Sequence, residues 1–163
     1  MGRGQAERLM PLLEELLAEA GTTWRDLARI GVGVGPGNFT GVRISVSAAR
    51  GLALGLGIPA VGVTLFQTTM HLSNWAQTAI PAPRGQFYLM DPDKMRQPIV
   101  APALPGGMFA LSTEHGPLDH VVMMARIAAE APETCTPPAP LYIRPADAAP
   151  SREAPPVILP DDA

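Results

Sequence analysis

The sequence predicts an α/β fold, and three observations carry that reading. Residues 30–63 pass without interruption from a strand pattern through a glycine-rich turn and a helix pattern into a second strand pattern. An amphipathic helix pattern precedes them, and another lies at 118–131. Strand, crossover helix and strand in about 34 residues make a βαβ unit, which implies two parallel strands joined by a right-handed crossover.

Taken in order, Leu9, Leu12, Leu13, Leu16, Leu17 and Ala20 form a broad apolar stripe, with Glu14, Glu15 and Glu19 opposite. Pro11 interrupts that pattern early, so the regular helix is expected to begin near it, with residues 5–10 as a loose first turn or kinked extension. Gly21 stops the helix, and Thr23 with Asp26 reads as a capping box for a short turn over 24–28. Residues 30–34, alternating apolar and Gly, predict a narrow buried strand. Gly35, Pro36, Gly37 and Thr40 mark a structural corner, where turn formers break the extension and a helix starts near 40. Val42, Val46, Ala49, Ala53 and Leu56 then recur along one helical stripe that should lie on the sheet. A second stripe, Gly41, Ser45, Ala48, Leu52 and Gly55, is nearly all small and lets another backbone come close. Gly57 and Pro59 end the helix, and residues 60–63 are the next strand.

Beyond it, 64–72 suits a short helix, and the pattern weakens over 73–107, where six prolines fall. Residues 86–90 and 99–101 are the strands expected there, as an antiparallel pair at an edge. The helix at 118–131 is expected to be capped by Asp119 and buried through Val121, Val122, Met124, Ile127 and Ala128. Residues 141–143 suggest a last short strand, and the Ala/Pro/Asp-rich stretch 145–163 a disordered tail. The expected division is thus 1–72, an abbreviated second subdomain over 73–144, and the tail at 145–163.

The chain has 163 residues with 19 Pro, 16 Gly and a net charge of -3. One domain with a real core fits that length. The charge leaves no basic footprint for strong, direct nucleic-acid binding, so a role on RNA implies a partner. One cysteine, Cys135, excludes an internal disulfide. The apolar run 44–56 is shorter than the roughly 20 residues a membrane span needs and carries Arg43 and Arg50 on its flank, so the expectation is a cytoplasmic protein without a transmembrane helix.

The chemistry-bearing motifs fail one by one. The turn at 35–40 lacks both G-x-x-x-x-G-K-[ST] and the last Gly of G-x-G-x-x-G, and 57–78 contains no acidic residue to hold a ribose. His71, His115 and His120 form no H-E-x-x-H and read as surface or cap residues. Cys135 has no flanking base or cation, and no G-x-S-x-G is present. Asp91 and Asp93 around Pro92 read as an exposed turn. Arg43 and Arg50, seven apart, read as surface ion-pair formers rather than an anion clamp. No catalytic group, cofactor site or metal site is expected from these residues.

At GVGPGNFTGVRIS and ARGLALGLGIPAVGV the sequence resembles the TsaB (YeaZ) family, and GRGQAERLMPLLEELL and PLYIRP are similar to that family's first helix and C-terminal signature. The resemblance implies an actin/Hsp70-type, ribonuclease-H-like sheet with packed helices, related to TsaD and the glycoprotease (peptidase M22) group. It implies a non-catalytic scaffold that forms a heterodimer with a TsaD-like protein. With a TsaE-like ATPase, that pair transfers threonylcarbamoyl to the adenosine next to the anticodon of tRNAs reading ANN codons, and the scaffold meets tRNA only indirectly. The small stripe suits such a helical interface, which places it on Gly41, Ser45, Ala48 and Leu52, with Leu13 and Leu16 of the first helix. Packing of that stripe against the chain's own first helix is the other reading, and a homodimer the other pairing.

Two departures stand out. Gln5 replaces the family's usual His in GRGHAE, and the LAIDTS-type strands that open family members are absent. The expected fold is therefore an incomplete sheet with its first strands missing, from a truncated frame, a misassigned start or a degenerate copy. Residues 30–34 should lose a neighbour, leaving the isolated chain aggregation-prone or partly molten, which a sharp cooperative melt would refute. The alternatives in function are an M22-like metallopeptidase, which a chelator would inhibit, and a degraded product with no function.

Overall fold

In the computed structural model, which describes residues 4–143, the passage from 30 to 64 forms the expected βαβ unit. Strand β1 (Ile30–Gly35) lies parallel to β2 (Ala60–Thr64), in a register pairing Ile30 with Ala60 and Gly33 with Val63. Helix α2 (Phe39–Leu56) crosses between them and is closed by Gly57 at φ 68°. Its start is set by Asn38, whose Oδ1 accepts the Gly41 N–H at 2.9 Å. The corner before it holds a cis Gly35–Pro36 peptide, and Gly35 sits at φ 108°, a conformation only glycine adopts freely.

The alternation of Val and Gly in β1 gives the strand two unlike faces. Val32 and Val34 pack with Val46 and Ala49 of α2, joined by Ile30, Val42 and Leu141. On the opposite face, Gly31 and Gly33 let α4 (Pro117–Glu130) approach almost to the backbone. A Cβ on Gly31 would lie 3.0 Å from the Ala128 Cβ and 3.2 Å from the Met124 carbonyl oxygen. Val61 and Val63 of β2 complete that side with Ala128, Met124 and Ile127. Gly31→Ala should therefore destabilise the chain by about 1–3 kcal/mol, because a helix backbone and not a flexible side-chain tip must move. Urea denaturation measures this, and an unchanged midpoint would mean that α4 slides freely.

A second sheet has the order β5-β4-β3-β6, from β3 (Thr78–Ala82), β4 (Gln86–Met90), β5 (Ile99–Ala101) and β6 (Ala110–Leu111). The expected antiparallel pair is there, with Tyr88 opposite Val100 and β5 at the edge. Strand β3 was not anticipated, because Pro81 argues against a central strand. It is tolerated because β6 pairs only with Thr78 and Ala79, so Pro81 lies past the stretch where an N–H would be needed on that side. Helix α3 (Leu65–Ser73) links the two sheets and starts with a true capping box, in which Thr64 and Gln67 exchange hydrogen bonds of 2.8 and 3.1 Å.

Other expectations are corrected. Residues 141–143 form no strand; Leu141 instead donates one N–H to the Val34 carbonyl at 2.8 Å, where β1 ends. Asp119 is not the cap residue of α4 but stands in its first turn and accepts the Gly116 N–H at 2.8 Å, with Pro117 opening the helix. Val121 and Val122 of α4 are exposed, and His120 takes the buried side. Asp91 is buried rather than exposed, its carboxylate accepting the Asp93 N–H at 3.2 Å and standing 3.4 Å from Lys94 Nζ. Helix α1 (Gln5–Glu19) runs regular from Gln5, with Pro11 inside it. The tail at 145–163 lies outside the described residues. Among the described residues, no helix is long and apolar enough to cross a membrane.

Candidate partner interface

Helix α1 is amphipathic by sequence, yet among its described side chains none is buried. Leu9, Met10, Leu13 and Leu17 are half-covered, and Leu12 and Leu16 are 42% and 51% exposed. The two-pronged Arg8–Glu15 contact at 2.9 and 2.7 Å is solvent-exposed and contributes little. Gly21, at φ 63°, ends the helix, and the N–H of Thr22 returns to the Leu17 carbonyl at 3.0 Å.

The 3-10 turn Trp24–Asp26 then places an indole between α1 and α2. Asp26 holds that turn by accepting the Thr23 hydroxyl at 2.6 Å and the Thr23 N–H at 2.9 Å. Those two bonds, the hydroxyl first, keep the Asp26 carboxyl below its ordinary value of 3.8. Because the folded value is the lower one, the stabilisation is complete above the unfolded value and is lost as pH falls through the folded one. Trp24 fluorescence, read in a Trp75→Phe background, should therefore change only below pH 3.8 and lose that step in Asp26→Asn. A step that persists in the variant would assign the transition elsewhere.

Two apolar cavities flank Trp24. One, of about 460 Å³, is lined by Met10, Trp24, Ala48, Gly51, Leu52, Gly55 and Leu56. The other, of about 230 Å³, gathers Leu13, Leu16, Leu17, Leu27, Ile30 and Leu52, with Arg29, around the same indole. The structure thus brings Leu13, Leu16 and Leu52 together, and joins Ala48 to them through the shared Leu52. Gly41 and Ser45 lie nearer the start of α2, outside both cavities, and the Ser45 hydroxyl donates back to the Val42 carbonyl at 3.0 Å. Trp24 and Gly51, central to this surface, were missed from sequence. Trp24 was read only as part of a capped turn, and Gly51 lies beside the stripe rather than in it.

Among the described residues Arg43 forms no ion pair. Its guanidinium stacks 3.9 Å above the Phe39 ring, and its Nε donates to the Tyr142 hydroxyl at 2.8 Å. It thereby straps the C-terminal stretch to the first turn of α2. Of the histidines, His71 is exposed in the last turn of α3, as expected, but His120 departs from expectation. His120 is buried, with Nδ1 2.8 Å from the Thr68 hydroxyl and Nε2 2.9 Å from the Ser112 carbonyl. His115 stands edge-on to it at 6.0 Å. Cys135 is half-buried and donates its thiol to the Ala60 carbonyl at 3.5 Å.

Comparison with known proteins places this architecture. A family model described as "TsaD: tRNA N6-adenosine threonylcarbamoyltransferase" matches residues 2–97. The Escherichia coli "tRNA threonylcarbamoyladenosine biosynthesis protein TsaB" is 37% identical over 93 residues, covering 53% of this chain and 40% of that protein. A Cereibacter sphaeroides "tRNA N6-adenosine threonylcarbamoyltransferase" is 46% identical over 76 residues, covering 47% of this chain and 19% of that protein. The chain thus spans less than half the length of these curated relatives. In structure it is similar to a Pseudomonas aeruginosa protein described as having similarity to peptidase YEAZ. The TM-score is 0.57 at 23% identity, covering 87% of this chain and 85% of that one. The α/β fold is therefore the one these solved structures share, and the chain belongs to the family described as TsaD, tRNA N6-adenosine threonylcarbamoyltransferase.

Proposed function

We propose that this chain is a non-catalytic scaffold that docks a TsaD-like protein in the threonylcarbamoylation of adenosine next to the tRNA anticodon. The observation that carries the reading is α1, an amphipathic helix with no buried described side chain, standing beside an apolar groove on α2. A helix in that state lacks the tertiary packing that normally supplies most helical stability. A second protein that covers it supplies that packing, and Leu13, Leu16, Ala48 and Leu52 form the core of the contact, with Gly41 and Ser45 along its continuation. A TsaE-like ATPase joins the pair, and tRNA is met through the partner, in keeping with the net charge of -3.

The test is co-expression with the TsaD-like protein of the same genome, followed by sizing chromatography and measurement of threonylcarbamoyladenosine in tRNA from cells that depend on this chain. Co-elution as a 1:1 complex with modified tRNA is expected. Separate elution with unmodified tRNA would overturn the proposal.

A further inference from the structure

Helix α4 is apolar on two sides. One stripe, Met124, Ile127 and Ala128, packs on the first sheet, and the close fit of Ala128 and the Met124 backbone over Gly31 leaves the helix no room to roll. The other stripe is bare. Leu118, Val121 and Val122 are 73, 60 and 44% exposed, and the exposed Ala125 and Ala129 continue their row along the helix. A helix that packs one face on a sheet ordinarily turns polar residues to solvent, and one that is apolar all round is covered all round. The outer row of α4 therefore lacks its cover.

The row and its flank match themselves when the helix is reversed. Leu118, the largest side chain of the row, stands at its start, and the small Ala125 and Ala129 stand towards its end. Asp119 and Arg126, both exposed, share one flank and carry opposite charges at the two ends. Among the described residues Arg126 forms no ion pair, and Asp119 accepts only the uncharged Gly116 N–H. A parallel neighbour of the same sequence would set leucine on leucine and like charge on like charge. An antiparallel one, related by a two-fold axis, sets Leu118 over the second Ala125 and Val121 against the second Val122. It also brings each Arg126 within about 3 Å of helical rise of the other copy's Asp119. We propose that the outer face of α4 is a dimer surface whose occupant is the α4 of a second copy of this chain, running antiparallel. It is separate from the docking surface. Helix α2 lies on the Val32 and Val34 side of β1 and α4 on the Gly31 and Gly33 side, so both surfaces can be filled at once and a one-to-one complex would pair into two-to-two.

The test is sedimentation velocity on the full chain alone, from about 1 to 500 μM, because a contact of one helix pair is small and a dimer with Kd on the order of 10–100 μM is expected. Val121→Glu/Val122→Glu should weaken it by about 10-fold or more, with the melting temperature of the dilute chain unchanged, since both side chains face solvent and Glu is the better helix former. Arg126→Glu, which touches nothing in the row, should weaken it by about 3-fold at low salt, the difference shrinking as salt is raised. A second measurement needs no disruptive change. In a Cys135→Ser background, Leu118→Cys chains mixed with Ala125→Cys chains should link through a disulfide on air oxidation. Neither variant should link to itself, because about 10 Å of helical rise would then separate the two thiols, beyond the roughly 7 Å between Cα atoms that a disulfide spans.

Monomers throughout that range would overturn the proposal, and so would a dimer that Val121→Glu/Val122→Glu leaves intact. Linkage of Leu118→Cys chains to one another would overturn the antiparallel order. A wild-type chain that stays monomeric, paired with a double variant that has lost binding to the TsaD-like protein, would give this face to that protein and overturn the second copy. Because the dimer is read on the chain alone, it stands or falls separately from the docking role.

Discussion

Leu89→Ala should lower stability by about 2–5 kcal/mol, a large share of the roughly 5–15 kcal/mol by which a domain exceeds its unfolded state. Leu89 is 1% exposed and stands in β4 between Ala79 of β3 and Ile99 of β5. Among the described residues the five largest fully buried side chains are Leu89, Val63, Thr68, Thr69 and Thr78, so three of them are threonines. A core with so few large apolar groups has little with which to fill a void, and neighbours paired on both sides hold the strand in place. Both conditions favour the upper part of the range. Urea denaturation gives the number. A loss below about 1 kcal/mol would show that the second sheet collapses around the missing atoms.

His120→Phe should cost about 1–3 kcal/mol, because it removes both nitrogens from a buried site and puts a somewhat larger ring there. The Ser112 carbonyl only accepts, so Nε2 carries a proton and donates to it at 2.9 Å. On the other side, Nδ1 meets the Thr68 hydroxyl at 2.8 Å, and that hydroxyl also reaches the Leu65 carbonyl at 3.0 Å. Loss of the ring leaves Thr68 a partner in Leu65 but orphans the Ser112 carbonyl, so most of the penalty belongs to the Ser112 side. A double-mutant cycle with Thr68→Val separates the two. The coupling between residues 68 and 120 should lie in the range of about 0.5–3 kcal/mol, and strict additivity would mean that the Nδ1 contact adds nothing.

How far the fold was legible depends on whether the deciding contact was local. The βαβ unit was readable because the Val/Gly alternation, the Asn38 turn and Gly57 each act within a few residues. Helix α4 was found with Met124, Ile127 and Ala128 on its packed side, as expected, but Val121 and Val122, expected beside them, are exposed. Leu118, Val121 and Val122 form one apolar stripe, and His120, Met124, Ile127 and Ala128 form another. Periodicity cannot choose between two apolar stripes. The choice is made by Gly31 and Gly33, almost a hundred positions away, whose bare backbone receives Ala128 at the first and the Met124 side chain at the second. Strand β3 was hidden by Pro81, and the role of Arg43 by a partner, Tyr142, 99 positions distant. The candidate interface was half-legible. The stripe on α2 and the leucines of α1 were visible as patterns, but the indole that joins them and the open space above Gly51 exist only in three dimensions.

The glycine face of β1 also sets a schedule. Val32 and Val34 find their partners in α2 within twenty residues, whereas Gly31 and Gly33 stay uncovered until residues 117–130 have been made. Leu141 and Tyr142 close over the end of β1 later still. On a ribosome adding about 5–20 residues per second, the first strand pair therefore waits several seconds with one face bare. The span the family model matches, 2–97, ends before that cover arrives, so the matched part cannot finish folding until residues beyond it have been synthesised.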